Sequence, residues 1–379
     1  MSKLQLSPPV LDWAAAEAGL SLVALAEKLS RHSVDDILQG RLTEPQAEKF
    51  ARIAKIPLGY LFMKEPPRPR QADVADFRTV QGATPLSKDF FDVFDDVQYK
   101  QDWYRDYLEG IGAAPLEVVG RFSDDDANVQ GIADDIRRTL RLNEQDRLHL
   151  QSPNDLYALL VERCESIGIL VFKNGVVGNN THRPLSVGEF RGFVLSDPLV
   201  PVVFVNGADA PAAWVFTLVH ELAHVWLGDS GISDVKPGTR NAREAQCNAI
   251  AAEVLVPQAL FREFWATQDP RQSLVQIIAA GRLRFRVSEL VVARRAWDLN
   301  LVSRQIYEQV YEDSRRHARA DGGGDFYRTV NVRNSKKFTA RVSSLAMSGM
   351  VSFREAGRLL NVAPARIATL YQRNHALPA

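Results

Sequence analysis

The chain has 379 residues, with 46 lysines and arginines, 46 aspartates and glutamates, and 46% hydrophobic residues. This length favours two or three domains, and the balanced charge argues against both a general nucleic-acid coat protein and an acidic solvating tail. The two cysteines, Cys164 and Cys247, exclude a disulfide scaffold and a zinc site built mainly from thiolates. The sequence contains neither a secretory signal pattern nor about 18 consecutive apolar residues, so we expect a soluble, cytoplasmic protein.

Residues 1–66 are predicted to form a compact helical unit, because apolar residues recur at three- and four-residue spacing between turn signals. Helices are expected over residues 9–18, after the capping residue Ser21, over residues 33–39, and after a Thr43–Gln46 capping box. The clustered prolines of residues 65–70 favour an extended spacer, which places a domain boundary there.

Two later segments carry opposite charge. Residues 67–122 are predicted to hold a linker and an acidic helical segment, and residues 89–146 contain 15 acidic and 6 basic side chains, which is typical of a solvated face. The helical C-terminal region is predicted over residues 263–379, and residues 315–379 contain 12 basic and 3 acidic side chains. A Ser352–Glu355 capping box and a helix after Pro364 outline a helix-turn-helix there. Nucleic-acid binding and docking onto the acidic segment both stay open for it.

A small sheet is predicted between Ile167 and Gly207, where short β-branched runs alternate with turn residues. The strands are expected over residues 169–172, 190–195 and 200–205. The last of these is interpreted either as a sheet edge that receives an extended substrate or as an ordinary core strand.

The sharpest motif is His220-Glu221-Leu222-Ala223-His224. Two histidines four residues apart lie on one face of a helix and can share one metal ion, and neutral imidazole suits zinc. Glu221 is turned about 100° from His220, which can aim its carboxylate at a water on the metal as a general base. The residues around the motif are uncharged, as a buried helix beneath a metal requires.

The next helix supplies candidates for the third ligand that catalytic zinc requires. Glu244 lies on a stripe with Asn248 and Ala251, whose small side chains allow close approach to the histidine helix. Glu253 lies about 180° around this helix from Glu244, so both carboxylates cannot face one metal. Cys247 is a rival ligand, although a small buried side chain is its commoner role. Such a site suits amide hydrolysis, and the candidates for stabilising the oxyanion are His182, Arg183 and Arg191.

Phe216–His224, followed by Glu244–Pro257, resembles the two motifs of the ImmA/IrrE family of zinc metallo-endopeptidases. These motifs are a His-Glu-x-x-His helix and a Glu-x-x-x-Asn helix that ends in a hydrophobic-Pro turn. The resemblance covers residues 123–262 and implies an α+β, mostly helical chain with a gluzincin-like metallopeptidase domain and a small β-sheet. It assigns His220, His224 and Glu244 as Zn²⁺ ligands and Glu221 as the base. Mn²⁺ would accept the same ligands, so the choice of zinc depends on the motif and the family.

Residues 19–62, with Asp76–Thr79 after them, resemble the XRE-type helix-turn-helix that is often fused ahead of this peptidase. Members with this arrangement are phage- or plasmid-borne regulators or the regulatory half of a toxin–antitoxin pair, and characterised relatives cleave a repressor. The expected recognition helix nevertheless carries Asp35 and Asp36 and no basic residue, whereas groove-reading residues are usually neutral or basic. DNA reading and a protein-interaction or dimerisation role both stay open for this unit.

The sequence therefore predicts a zinc-dependent endopeptidase that regulates by cleaving a specific protein partner, such as a transcriptional repressor or antitoxin. The alternative is a DNA-binding transcription regulator or antitoxin whose peptidase-like domain binds a partner without routine cleavage. The expected partners are the protein substrate, DNA at the helix-turn-helix units and a second copy in a homodimer, with no membrane.

Overall fold

The computed structural model describes residues 3–18, 20–30, 32–54, 56–67, 74–76, 86–123, 128–233, 241–316 and 326–375. About 61% of the described residues are helical and the sheets are small, which confirms the expected α+β, mostly helical class. The chain divides into two compact units, Met1–Gln71 with Pro85–Phe91, and Ala72–Thr84 with Asp92–Ala379. Residues 68–73 and 77–85 lie outside the described residues, and they include most of Asp76–Thr79.

The first unit is a small helical bundle with a short hairpin. The four predicted helices are present, and Ser21 accepts a hydrogen bond from the backbone N–H of Ala24 at 3.2 Å, as a cap should. The hairpin was not predicted, because strands of three residues carry no periodic signal. Its elements are β1 Lys3–Gln5, α1 Pro8–Glu17, α2 Leu22–Leu29, α3 Val34–Leu38, β2 Arg41–Thr43, α4 Glu44–Ala54 and a 3-10 turn at Leu58–Phe62.

No single helix among the described residues is long and apolar enough to cross a membrane. The helices α1 and α2 reach that length only as a pair bent by 89°. Leu11, Ala14 and Leu25 of this pair are fully buried in the core of the first unit, which accounts for their apolar character.

The second unit packs helices around one mixed sheet. Its strands are β3 Ala75–Asp76, β4 Leu170–Asn174, β5 Val176–Val177, β6 Asn180–Pro184, β7 Gly192–Leu195, β8 Val202–Asn206 and β9 Gly231–Ser233. Its helices are α5 Lys88–Gly110, which begins in the first unit, α6 Val129–Thr139, α7 Glu144–His149, α8 Pro153–Ser166, α9 Pro211–Leu227, α10 Ala242–Leu255, α11 Gln258–Ala266, α12 Leu274–Phe285, α13 Glu289–Asp298, α14 Arg304–Arg316, α15 Phe326–Arg333, α16 Lys336–Met347, α17 Phe353–Leu359 and, after a 3-10 turn at Pro364–Arg366, α18 Ile367–His375.

The main sheet has the strand order β3-β9-β7-β8-β4. β8 pairs with β7 in antiparallel fashion and with β4 in parallel, and all five of its residues are buried. The interpretation of residues 202–205 as a sheet edge is therefore wrong, because both sides of this strand already have hydrogen-bonded neighbours. The three predicted strands are confirmed as β4, β7 and β8, with their ends shifted by one or two residues.

The acidic segment does not present only a solvated face. On α5, Lys100 is buried and donates hydrogen bonds to Asp96 at 2.5 Å and to Asn334 at 2.8 Å. The C-terminal helices pack on the same face, where Trp103 donates to the carboxylate of Glu355 at 3.1 Å. Ser352 caps α17 as predicted, but Glu355 uses its side chain for this contact with α5. These contacts favour the docking interpretation for this part of the basic region.

Asp135 of α6 also departs from the predicted solvated face. Its carboxylate is buried and accepts hydrogen bonds from Trp226 Nε1 at 2.9 Å, Arg121 at 2.7 Å and Arg138 at 2.6 Å. Burial raises the pKa of Asp135, but these hydrogen bonds outweigh it and hold the pKa below its ordinary value. Asp135 therefore ties α6 to α9, the helix that carries the histidine motif.

We expect Asp135→Ala to lower the free energy of unfolding by about 2–3 kcal/mol, because Trp226 Nε1 would stay buried without an acceptor. Urea denaturation at pH 7 measures this change. Asp134→Ala is the matched control, since Asp134 is exposed and its carboxylate contacts only the exposed side chain of Gln130 among the described hydrogen bonds. Equal stability of the two variants would contradict the structural role of Asp135.

Candidate metal centre

The histidine motif lies in the middle of α9, which is buried over its whole second half. Pro211 occupies the first turn, where its missing N–H costs nothing, and Gly228 ends the helix with a φ of +78°. Every residue from Thr217 to Leu227 is buried, which confirms the prediction from the uncharged sequence around the motif. The carbonyl groups of Val225 and Trp226 accept hydrogen bonds from the backbone of Gly120 and Phe122 at 2.9 Å, so this buried helix end is satisfied.

The structure brings the three predicted ligands together. His220 Nε2 lies 3.3 Å from His224 Nε2, and the Glu244 carboxylate lies 3.3 Å from His220 Nε2 and 2.9 Å from His224 Nε2. Glu244 is in the first turn of α10, whose cap Asn241 accepts from the backbone N–H of Glu244 at 3.4 Å. All three side chains are at most 1% exposed.

These separations suit a single small cation. Ligands at 2.0–2.1 Å from a tetrahedral zinc ion lie about 3.3 Å apart, which is close to the spacing of the three donor atoms. The two imidazole Nε2 atoms also face each other at 3.3 Å. Only one of them could donate a hydrogen bond to the other, whereas a shared cation would accept the lone pairs of both. Burial lowers the pKa of His220, which favours the neutral imidazole that binds a metal, whereas the pKa of His224 is raised because Cys247, Asp229 and Glu244 outweigh burial there. The donor set therefore fits zinc.

Glu221 lies beside this cluster and is fully buried. Ser233 of β9 donates to its Oε2 at 3.4 Å, whereas its Oε1 has no hydrogen-bond partner among the described residues. Burial raises the pKa of Glu221 to about 8, assisted by the nearby Glu244 carboxylate and opposed by His224. A buried carboxylate oxygen without a partner is costly, which indicates that a polar group such as a water molecule belongs next to it.

Gly192 of β7 gives the Glu221 side chain its space. A Cβ atom at this position would lie 2.7 Å from Glu221 Oε1 and 2.8 Å from the Thr217 methyl group. The backbone of β7 therefore runs directly against the carboxylate, and only glycine permits this close approach.

For the peptidase activity predicted from the sequence, we expect Gly192→Ala to lower kcat by about 10- to 100-fold with the metal retained, because the new methyl group displaces the Glu221 carboxylate. Steady-state peptidase kinetics and metal analysis on the same samples measure both quantities. Gly188→Ala is the matched control, because the nearest atom to its added Cβ is the flexible Ser186 Oγ at 3.7 Å. Unchanged kinetics in Gly192→Ala would contradict the assigned position of the general base.

Two further side chains lie beside the two histidines of the cluster. The Asp229 carboxylate lies 3.8 Å from His224 Nδ1 and forms an ion pair with Arg243 at 2.8 Å. Asn248 lies close enough to His220 to raise the pKa of this histidine, against the larger effect of burial. Such outer partners fix the ring orientation of metal-binding histidines.

The remaining candidates from the sequence have other positions. Glu253 faces away from the cluster as predicted, and its carboxylate pairs with Arg295. Cys247 is buried beside His224 but does not belong to the group of three converging donors. Among the oxyanion candidates, Arg191 lines a cavity next to the cluster and pairs with Asp209 at 2.7 Å. Arg183 pairs with Asp92 at 2.5 Å, and His182 is exposed on the β5–β6 hairpin.

Three contributors were missed in the sequence, namely Gly192, Asp229 and Ser233. A glycine inside a predicted strand is a signal for close approach of another group, so Gly192 could have been found. Asp229 directly follows the C-terminal glycine of the histidine helix, and its backbone N–H donates to the carbonyl of His224 at 3.0 Å. Ser233 carries no such signal, because its contact with Glu221 depends on how β9 pairs with β7.

One part of the chain matches a family of metallopeptidases, which agrees with the geometry of the metal cluster. Residues 164–296 match the family model described as peptidase M78, the IrrE N-terminal-like domain. This match supports the ImmA/IrrE resemblance and indicates a metallopeptidase-type domain, for which a metal cofactor, typically zinc, is expected. Residues 334–373 match a domain of unknown function, DUF8813, and no curated protein matches the chain. The peptidase match both begins and ends later than residues 123–262.

Proposed function

We propose that this chain is a zinc-dependent endopeptidase that regulates by cleaving a specific protein partner, such as a transcriptional repressor or an antitoxin. The observation that carries the catalytic part is the buried cluster of His220, His224 and Glu244 with the Glu221 carboxylate beside it. Acidic and histidine side chains are common together on a solvated surface without a metal, whereas three donor atoms that converge inside a protein core are typical of a metal site. Restriction to a regulatory partner follows the family resemblance.

His220, His224 and Glu244 would hold the metal. When bound, zinc would lower the pKa of a water molecule towards 7 and polarise a carbonyl group. In the metal-free protein the raised pKa of Glu221, about 8, favours its protonated form near pH 7, and the positive charge of a bound cation would favour the carboxylate. As a carboxylate, Glu221 accepts the proton of the attacking water and later delivers it to the leaving amine. Burial keeps the Glu221 carboxylate from bulk solvent, and Gly192 and Ser233 hold it at the cluster. Asp229 lies 3.8 Å from His224 Nδ1, on the opposite side of the ring from the converging Nε2 atoms.

The experiment that tests this function combines the zinc-loaded chain with a complex library of peptides and reads new N-termini by mass spectrometry. We expect cleavage that disappears on chelation and returns when zinc is added back. A panel of repressors and antitoxins encoded next to the gene then identifies the partner. Absence of any zinc-dependent cleavage in both substrate sets would overturn the enzymatic proposal.

A DNA-binding regulator is the second candidate, and two ion pairs in the first unit favour it. Asp36 of α3 pairs with Lys3 at 2.6 Å and with Arg41 at 2.8 Å, so part of the negative charge of the expected recognition helix is neutralised. A mobility shift with DNA from upstream of the gene separates the two candidates, using Glu221→Gln protein. A regulator that acts without proteolysis keeps both specific DNA binding and its effect on transcription in this variant.

A further inference from the structure

A cavity of about 310 Å³ lies among α9, α10, α13 and α14 in the second unit, near the metal cluster. Thr217 and Asn248 line it, and they lie one helical turn from His220 and Glu244 on α9 and α10. The volume is at the lower end of the range for small-ligand pockets, and it exceeds what a single water molecule needs. The cavity therefore lies about one helical turn from the cluster along α9 and α10.

The walls of the cavity are mainly apolar. Small side chains on α9 and α10 leave the space, and larger ones on α13 and α14 close it. The residues that define its shape are Ala213, Ala249, Ala252, Leu290, Val291 and Tyr307. The Tyr307 ring stacks on Trp297 with 5.1 Å between centroids, and the Arg294 guanidinium lies over both rings, so this wall is held in place by packing.

The charged groups of the cavity are matched by partners of opposite charge. Arg191 pairs with Asp209 at 2.7 Å, Arg294 pairs with Asp298 at 2.8 Å, and Arg295 pairs with Glu253. A charged side chain that entered would lose its hydration without gaining a free counter-ion from these three pairs. An apolar side chain loses little and gains the burial of its surface.

The wall formed by α14 lies beyond residues 164–296, the segment that matches the peptidase family model. Tyr307 and Tyr311 therefore shape this cavity from outside the matched domain. The family match therefore does not predict which substrates this cavity selects.

We propose that this cavity is a specificity pocket that takes one bulky apolar side chain, aromatic or branched aliphatic, from the substrate residue beside the scissile bond. This inference rests on the proposed peptidase function, because only a peptidase has a substrate with a scissile bond. The binding preference itself follows from the shape and charge of the cavity, and it holds whether or not cleavage occurs.

The test measures binding separately from catalysis. Zinc-loaded Glu221→Gln protein is titrated with the N-acetyl amides of phenylalanine, leucine, glutamine and lysine, and saturation-transfer NMR reports their dissociation constants. We expect the phenylalanine and leucine amides to bind at least tenfold more tightly than the lysine amide. Ala249→Leu, which fills the cavity from α10, should remove this preference, and Leu290→Ala, which enlarges it, should weaken the binding of both apolar amides. Ala266→Leu is the matched control, because Ala266 is exposed on α11 and does not line the cavity.

Cleavage of the peptide library by the wild-type chain supplies the second readout. Enrichment of bulky apolar residues at one position next to the cleaved bonds, shifted to smaller residues in Ala249→Leu, would support the pocket. Equal binding of all four amides, or a preference unchanged in folded Ala249→Leu and Leu290→Ala proteins, would overturn it. Retained apolar binding with no cleavage by the wild-type chain would count against the peptidase function and leave the pocket standing.

Discussion

Glu221→Gln is expected to lower kcat for peptide cleavage by about 10²- to 10⁴-fold while one zinc ion per chain is retained. The amide has nearly the shape of the carboxylate, so it can occupy the space beside Gly192 and Ser233. It cannot accept the proton of the attacking water, which removes the general base without disturbing the three ligands. Steady-state kinetics with a peptide from the cleavage library, together with metal analysis of the same sample, measure the effect.

Glu162→Gln provides the control for the loss of one negative charge, because Glu162 is exposed on α8. This variant should cleave at the wild-type rate. If Glu221→Gln protein retained wild-type kcat with full metal content, another group would have to accept the proton, and the assigned role of Glu221 would be wrong.

Zinc is expected to stabilise the second unit strongly. A ligand present at about 1,000 times its dissociation constant stabilises the folded state by about 4 kcal/mol, which corresponds to a rise in Tm of roughly 10 °C for a unit of this size. Without a cation, the two imidazoles and the Glu244 carboxylate are confined at 2.9 to 3.3 Å from one another inside the core. Calorimetry of chelator-treated protein, before and after titration with zinc, measures the shift.

Glu244→Gln is the informative variant for this prediction. It keeps the volume of the side chain but offers a weaker ligand, so the shift in Tm on adding zinc should shrink to a small fraction of the wild-type value. Cys247→Ala should keep the full shift, because the three donor atoms that converge do not include its thiol. An equal shift in all three proteins would indicate that zinc binds elsewhere.

The sequence was sufficient to predict the helix that carries His220 and His224, because the spacing and polarity of neighbouring residues determine such a helix. The i, i+4 spacing placed His220 and His224 on one face, and the uncharged neighbours indicated burial, which the structure confirms for Thr217–Leu227. The small residues of α10 correctly indicated close approach of the Glu244 helix. The predicted strands β4, β7 and β8 were found for the same reason, since β-branched runs between turn residues are a local signal.

The long-range pairings could not be read from the sequence. Residues 202–205 form the same apolar run whether the strand is at an edge or in the interior, and only the pairing of β8 with both β7 and β4 decides this. Asp135 was placed on a solvated face because neighbouring acidic residues suggested it. Its burial depends on Trp226, 91 positions away. The cavity next to the metal cluster depends on α13 and α14 folding back over α9 and α10, which no motif encodes.

The most direct test of the central claim is the zinc content of purified protein, measured by elemental mass spectrometry without exposure to chelators. Wild-type protein and Cys247→Ala should contain one zinc per chain, and His220→Ala and Glu244→Ala should contain less than a tenth of this amount while remaining folded by circular dichroism. Folded wild-type protein that contains no zinc and binds none on addition would contradict the metal centre and, with it, the proposed peptidase.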